Sequence, residues 1–354
     1  MIQLLLNIKI IDFTRLLPGP MATKLLAQMG AAVIKIESPK RIDYTRGLGK
    51  QVDGKSILFH MLNHHKDLKM IDYETDEGKE QIYEMIKKAD VLVEQFRPGA
   101  MAAWGLDYEA IKKINPKIVY ASITGYGQKG DYANEAGHDF NYLSYSGVMS
   151  LIKDDNGKPV LPATQFADIG GSYAAVMAIQ SGLINKAHTG NGCYLDISLA
   201  DAMLPFITIP MSLNWSGMNH RQFNILNGKT TVNYAVYQCA DEKWLAVAAF
   251  EVKFWNNICE LLEKPAWKRK SQMELMVGIF PKKEVVELFL SKNRGEWLEI
   301  FKGKDTCVSP ILELEDLENS DYHKNKETFT TFIGDGGEEL KDLGLPFQSS
   351  SFKL

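Results

Sequence analysis

The sequence predicts an α/β protein: a larger domain built on a parallel sheet, followed by a smaller α+β domain. Three observations carry this. Short apolar runs alternate with helical patterns through the first half, as in successive strand–helix–strand units. At 354 residues and 45% apolar, the chain can bury a full core, and its length suits two domains. After Asn214 the composition turns polar and turn-rich, from Trp215-Ser216-Gly217-Met218 to Asn227-Gly228-Lys229, before strand-like segments resume.

The elements follow in order. Residues 8–13 alternate as a strand, which Leu17-Pro18-Gly19-Pro20 breaks. A helix is expected from about Met21 to Met29, with Leu25, Leu26 and Met29 on one face and Gly30 as its stop. Ala32-Val33-Ile34-Lys35-Ile36 is then the next strand and closes a βαβ unit. Residues 90–94 and 117–123 are further short strands, each after a charged helical pattern, and a helical block is expected over 169–204. The architecture is Rossmann-like, but no Gly-x-Gly-x-x-Gly follows the first strand, which weighs against a dinucleotide. The large domain is placed at 1–215, a linker at 216–227 and the small domain at 228–325, with 326–354 returning to the large domain. In the small domain, residues 234–239 and 244–248 read as strands, and amphipathic helices carry Phe254, Trp255 and Ile258.

Charge and cysteine usage exclude several classes. Net charge is −4 and the 40 basic residues are scattered, so no nucleic-acid footprint is expected. Cys193, Cys239, Cys259 and Cys307 show no metal spacing and are too few for a disulfide scaffold, so neither a metal nor a disulfide is expected, and a reducing cytoplasm is the simplest home. The apolar start lacks a basic n-region, and the apolar run at 204–209 is too short to span a bilayer.

Two residues stand out chemically. His138 lies in Ala136-Gly137-His138-Asp139-Phe140, and Asp168 opens Asp168-Ile169-Gly170-Gly171-Ser172 before a long apolar stretch. Moving a proton on and off carbon needs one group to accept it and another to deliver it, which an imidazole and a carboxylate can do. On the residues alone, Asp168 reads equally as a helix cap and His138 as an ordinary core or surface histidine. Asp139 is either an orienting partner for the imidazole or an exposed turn residue. Gly170 and Gly171 would let a ligand approach the backbone closely.

Ordered segments along nearly the whole chain resemble the family III CoA-transferases and, within them, the α-methylacyl-CoA racemase branch. They are Asp12-Phe13-Thr14-Arg15-Leu16-Leu17-Pro18-Gly19-Pro20, Met29-Gly30-Ala31-Ala32-Val33-Ile34-Lys35-Ile36-Glu37, Ala89-Asp90-Val91-Leu92-Val93-Glu94-Gln95-Phe96-Arg97-Pro98-Gly99, Asn115-Pro116-Lys117-Ile118-Val119-Tyr120, Gly137-His138-Asp139 and Phe250-Glu251-Val252-Lys253-Phe254-Trp255. The resemblance implies an interlocked homodimer that binds acyl-CoA at a cleft between the large domain of one subunit and the small domain of the other. It implies His138 and Asp168 as catalytic groups, with Glu251 as a carboxylate from the small domain. Lys66 and Arg97 match CoA-binding positions, Arg46 is a weaker one, and Lys40 or Arg41 stands in for an arginine that relatives carry where this chain has Ser38. Thr164 replaces an asparagine four residues before Asp168, and a proline usual before Tyr234 is missing.

The resemblance leaves three activities open. A racemase would hold the α-carbon of a 2-methylacyl-CoA between His138 and Asp168 and pass through an enolate, with the thioester oxyanion on backbone N–H groups at the start of the Gly170 helix. An acyl-CoA:carboxylate CoA-transferase would use Asp168 as a nucleophile through an aspartyl-CoA thioester. A non-catalytic acyl-CoA binder would have lost the chemistry, which retention of His138, Asp168 and Glu251 together argues against. No cofactor is expected beyond the CoA of the substrate. The Gly-His-Asp motif favours the racemase.

Overall fold

The computed structural model describes residues 3–218, 231–277, 280–324, 326 and 328–347. The chain divides into two compact units, one of Met1–Thr208 with Lys326–Leu354 and one of Ile209–Asn325, against a boundary expected at 215. Most of the expected linker, 219–227, lies outside the described residues.

The first unit is a six-stranded parallel sheet. Its strands are β1 (Lys9–Asp12), β2 (Ala32–Glu37), β3 (Asp67–Met70), β4 (Val91–Glu94), β5 (Val119–Thr124) and β6 (Cys193–Ser198), in the spatial order 3-2-1-4-5-6. Crossovers run through α1 (Pro18–Gln28), α2 (Ile57–Asn63), α3 (Asp76–Ile86), α4 (Tyr108–Ile114), α5 (Asp139–Tyr145) and α6 (Phe166–Thr189). Strands covered on both faces read as continuous apolar runs, and Val91-Leu92-Val93-Glu94 is buried throughout. Their alternation sorts side chains into two cores: Ile10, Val91, Val93, Val119 and Ala121 join one, while Ile11, Leu92 and Tyr120 join the other.

Two elements differ from the sequence reading. Helix α1 starts at Pro18, not Met21, because prolines in a first turn lack only amide hydrogens that have no partner in the helix. The block expected to be helical over 169–204 contains strand β6. Gly190, at φ 74°, ends α6, and Cys193, Leu195 and Ile197 then alternate with Tyr194, Asp196 and Ser198. That period of two is a signal legible in the sequence.

A buried polar centre fixes the loop after β1. Asp12 accepts from Thr14 N (2.8 Å), Thr23 Oγ1 (2.6 Å) and Lys66 Nζ (3.1 Å), and Lys66 also donates to Pro20 O (3.0 Å). Lys35 donates to Thr14 O (2.6 Å) and pairs with Asp43 (2.9 Å), which in turn accepts from Leu16 N (3.1 Å). Burial alone would push the Asp12 carboxyl up, but Lys66 and Lys35 outweigh it and hold it below its ordinary range. The network holds Leu16 at φ 65°, a left-handed conformation that is costly for a branched side chain.

The second unit has its own core. Its antiparallel sheet comprises β7 (Tyr234–Gln238), β8 (Trp244–Ala248) and β9 (Val308–Pro310), with β8 in the middle. Helices α7 (Val252–Leu261), α8 (Lys282–Phe289) and α9 (Arg294–Phe301) pack Trp255, Phe289 and Trp297 beside it. The indoles of Trp255 and Trp297 are satisfied, Trp255 by Trp267 O (2.9 Å) and Trp297 by Phe289 O (2.8 Å). A C-terminal hairpin, β10 (Phe329–Ile333) and β11 (Glu339–Leu343), belongs to the first unit. Among the described residues no helix is long and apolar enough to cross a membrane.

Candidate active site

The strand order reverses direction between β1 and β4, and an open α/β sheet offers its ligand crevice at the carboxyl ends there. A cavity of about 200 Å³ occupies that place. Leu16 and Pro18 enter it after β1, Gln95, Phe96 and Arg97 after β4, and Gly125 and Tyr126 after β5. His138, before α5, and Asp168, in the first turn of α6, both line it, and both belong to the connection from β5 to β6.

Asp168 is not the cap of its helix. Helix α6 begins at Phe166, and Gln165 before it makes no capping bond with its side chain. The cap comes from Asp139, whose Oδ1 accepts from Ala167 N (2.7 Å) and Asp168 N (3.0 Å). Asp139 therefore neither orients the imidazole nor sits in an exposed turn, because it is buried and bonded to helix amides. With Ile169 N bonded to Gln165 O (3.1 Å), the amides at Ala167, Asp168 and Ile169 are occupied, which removes them as donors for a thioester oxyanion. The Asp168 carboxyl gains nothing from them either. Burial, with the Asp139 charge beside it, pushes Asp168 up to about 7.

Folding disfavours the ionised form of Asp168, so below its ordinary value of 3.8 the group costs nothing. Between about pH 4 and 7 the unfolded chain loses the proton while the native one keeps it, and above 7 the full cost stands. Asp168→Asn is expected to stabilise the protein by roughly 1–3 kcal/mol at pH 8 and hardly at all near pH 4. Urea unfolding at the two pH values measures this, and an equal effect at both would contradict it.

His138 is exposed at the start of α5, and its backbone N–H donates to Asn141 Oδ1 (3.0 Å). Tyr142 OH donates to Gly137 O (2.5 Å) and pins the turn that presents the imidazole. Gly170 and Gly171 serve packing: a side chain at Gly170 would strike Met203, and one at Gly171 would strike Leu199.

The candidate CoA-binding cations separate. Arg97 is exposed on the cavity wall and has no carboxylate partner among the described residues. Lys66 is corrected to a structural role: its ammonium is fully buried against Asp12, so it cannot reach a phosphate without leaving that carboxylate unpaired. Burial pulls Lys66 down to about 8 despite Asp12. Arg46 is bidentate on Glu37 (2.7 and 3.1 Å) and lies over the Phe59 ring, so its planar face and fork are in use. Lys40 and Arg41 are exposed and pair with Glu74 at 3.3 Å each. Gln95 was not singled out from the sequence. Its Oε1 accepts from Gly19 N (2.9 Å), so its amide NH₂ is not used in that bond, and the residue lines the cavity. A polar residue just past a central strand is the signal that would have found it.

Residues 5–354 match the model of CoA-transferase family III. The chain belongs to that family. It is 31% identical to the α-methylacyl-CoA racemase of Homo sapiens over 331 residues, which cover 92% of this chain and 82% of that protein. It is 30% identical to the succinyl-CoA:glutarate CoA-transferase of Homo sapiens over 318 residues, covering 88% and 72%. The crystal structure of a CAIB/BAIF family protein from Brucella suis superposes with a TM-score of 0.83 at 28% identity, covering 99% of this chain and 93% of that one. Both racemases and CoA-transferases are thus relatives at similar distance. In this family III chain Glu251 stands in the second unit, exposed, just before α7. Its carboxylate does not cap that helix, because Gln272 Oε1 accepts from Val252 N (3.2 Å) instead.

Proposed function

We propose that this family III chain is an acyl-CoA racemase acting on 2-methylacyl-CoA thioesters by 1,1-proton transfer. The observation that carries the reading is the Asp168 carboxyl, pushed up to about 7 on the wall of a cavity that His138 also lines. A carboxyl so poised exchanges a proton near neutral pH, close to the range in which imidazoles as a class titrate. A nucleophilic carboxylate has the opposite need, since it must be ionised before it attacks. One group removes the α-proton, the electron pair moves onto the thioester oxygen to form the enolate, and the other group returns a proton to the opposite face. Arg97 is the cation for a CoA phosphate. The Gln95 amide, in place of the α6 amides, is the side-chain donor for the enolate oxygen. Two chains interlock, so that Glu251 reaches the site from the partner subunit, and the CoA of the substrate is the only cofactor.

Incubation of a 2-methylacyl-CoA with the protein in D2O is expected to place deuterium at the α-carbon with CoA still attached and no acceptor acid present. The relatives that move CoA between acids keep a second reading open, in which Asp168 attacks the acyl carbon and expels the CoA thiolate. The thiolate then forms an aspartyl-CoA thioester and frees the acid. Transfer of CoA to added carboxylates without deuterium exchange, or an Asp168 adduct trapped by hydroxylamine, would decide for that reading.

A further inference from the structure

We propose that His64, His65 and Asp342 form a binding site for a divalent transition metal, with zinc favoured, that fastens the C-terminal hairpin to helix α2. Two imidazole nitrogens converge on one carboxylate oxygen: Nε2 of His64 lies 3.5 Å from Asp342 Oδ2 and Nε2 of His65 lies 3.8 Å from it. All three donor atoms lie within 4.8 Å of one another. These separations are too long for hydrogen bonds, which end near 3.2 Å for N–H···O. They are close to the edges of a tetrahedron about a zinc ion, about 3.3–3.4 Å when its bonds to N and O are roughly 2.0–2.1 Å. Two imidazoles with one carboxylate is also a donor set of the borderline kind that zinc takes.

His64 is held in one tautomer. Its Nδ1 is 3.0 Å from His60 O, and because a carbonyl only accepts, Nδ1 carries the hydrogen. In the neutral ring, Nε2 then directs a lone pair at an anionic oxygen. Two electron-rich atoms so arranged repel unless a cation lies between them. A backbone carbonyl that fixes the non-ligating nitrogen is the usual outer partner of a metal-bound histidine. His64 is held further by stacking on Phe332 of the hairpin, with centroids 3.7 Å apart.

Asp342 is oriented as a ligand should be. Its Oδ1 accepts from Lys24 Nζ, and Gln28 Nε2 lies 3.4 Å from its Oδ2, a contact longer than an ordinary hydrogen bond. The Lys24 ammonium offsets part of the carboxylate charge and lowers the affinity for a dication, but both imidazoles keep some exposure and the metal can enter without unfolding. Asp342 is on β11 and the histidines follow α2, so the bound ion would tie two segments far apart in the chain.

The test is titration of the full chain, stripped with a chelator, with Co2+ as a spectroscopic substitute for zinc. One equivalent is expected to give the visible absorption of four-coordinate cobalt, zinc is expected to displace it, and either ion is expected to raise the melting temperature. His65→Ala and the double variant His64→Ala/His65→Ala should lose the band while keeping the deuterium exchange assigned to His138 and Asp168. An absence of both the band and the thermal shift in the unmodified chain overturns the proposal, and that result needs no variant to fold. A band that survives in the double variant overturns it as well, by placing the metal elsewhere.

Discussion

His138→Ala is expected to slow α-proton exchange from one enantiomer of a 2-methylacyl-CoA by about 10²- to 10⁴-fold, while exchange from the other falls much less. Asp168→Ala should do the reverse. The asymmetry follows from the proposed two-base reaction, in which each residue serves one face of the α-carbon, and both line one cavity. Removing either one leaves the other able to abstract its own proton. Initial rates of deuterium uptake, measured separately on the two enantiomers of one substrate, test this. Equal losses on both enantiomers in both variants would indicate a single base, and full activity in His138→Ala would remove the case for a racemase.

Lys66→Met is expected to destabilise the first unit by about 3–5 kcal/mol, the range for removing one partner of a buried ion pair. Both side chains are wholly inaccessible, and Asp12 would keep its negative charge with only Thr14 and Thr23 and a more distant Lys35 to hold it. Were Lys66 a CoA-binding residue, the same change would raise KM with little effect on stability. Denaturant unfolding and KM, measured on one preparation, separate the two roles. A stable Lys66→Met protein with impaired CoA binding would restore the sequence-based assignment. Partial recovery in Asp12→Asn/Lys66→Met is expected if the uncompensated charge carries most of the cost.

Much of the fold was legible because it is written in local periodicity. β1, β2, β4 and β5 are apolar runs with polar boundaries, and α1 lies between two of them with a glycine at its end. The elements that escaped carry a weak local pattern or one masked by a neighbouring element. Among the described residues strand β3 pairs only with β2, at the sheet edge, and is mostly solvent-facing, so it carries no apolar run. Strand β6 alternates, but follows so closely on a long helix that the helical pattern masks it.

The sequence by itself determined the parallel sheet, the separate core behind Trp255, and the types of group that the proposed proton transfer needs, since these follow from residue chemistry and spacing. Only the tertiary structure decided what each charged group does. Asp168 and Asp139 both lie near the start of α6, but the hydrogen bonds assign capping to Asp139 and leave the Asp168 carboxyl without amide support. Lys66 and Arg97 are both lone cations in the sequence, but Lys66 is sealed against Asp12 while Arg97 faces the cavity. The physical reason is that a charge takes its role from burial and from partners brought in by distant segments, and neither is encoded in the residues beside it.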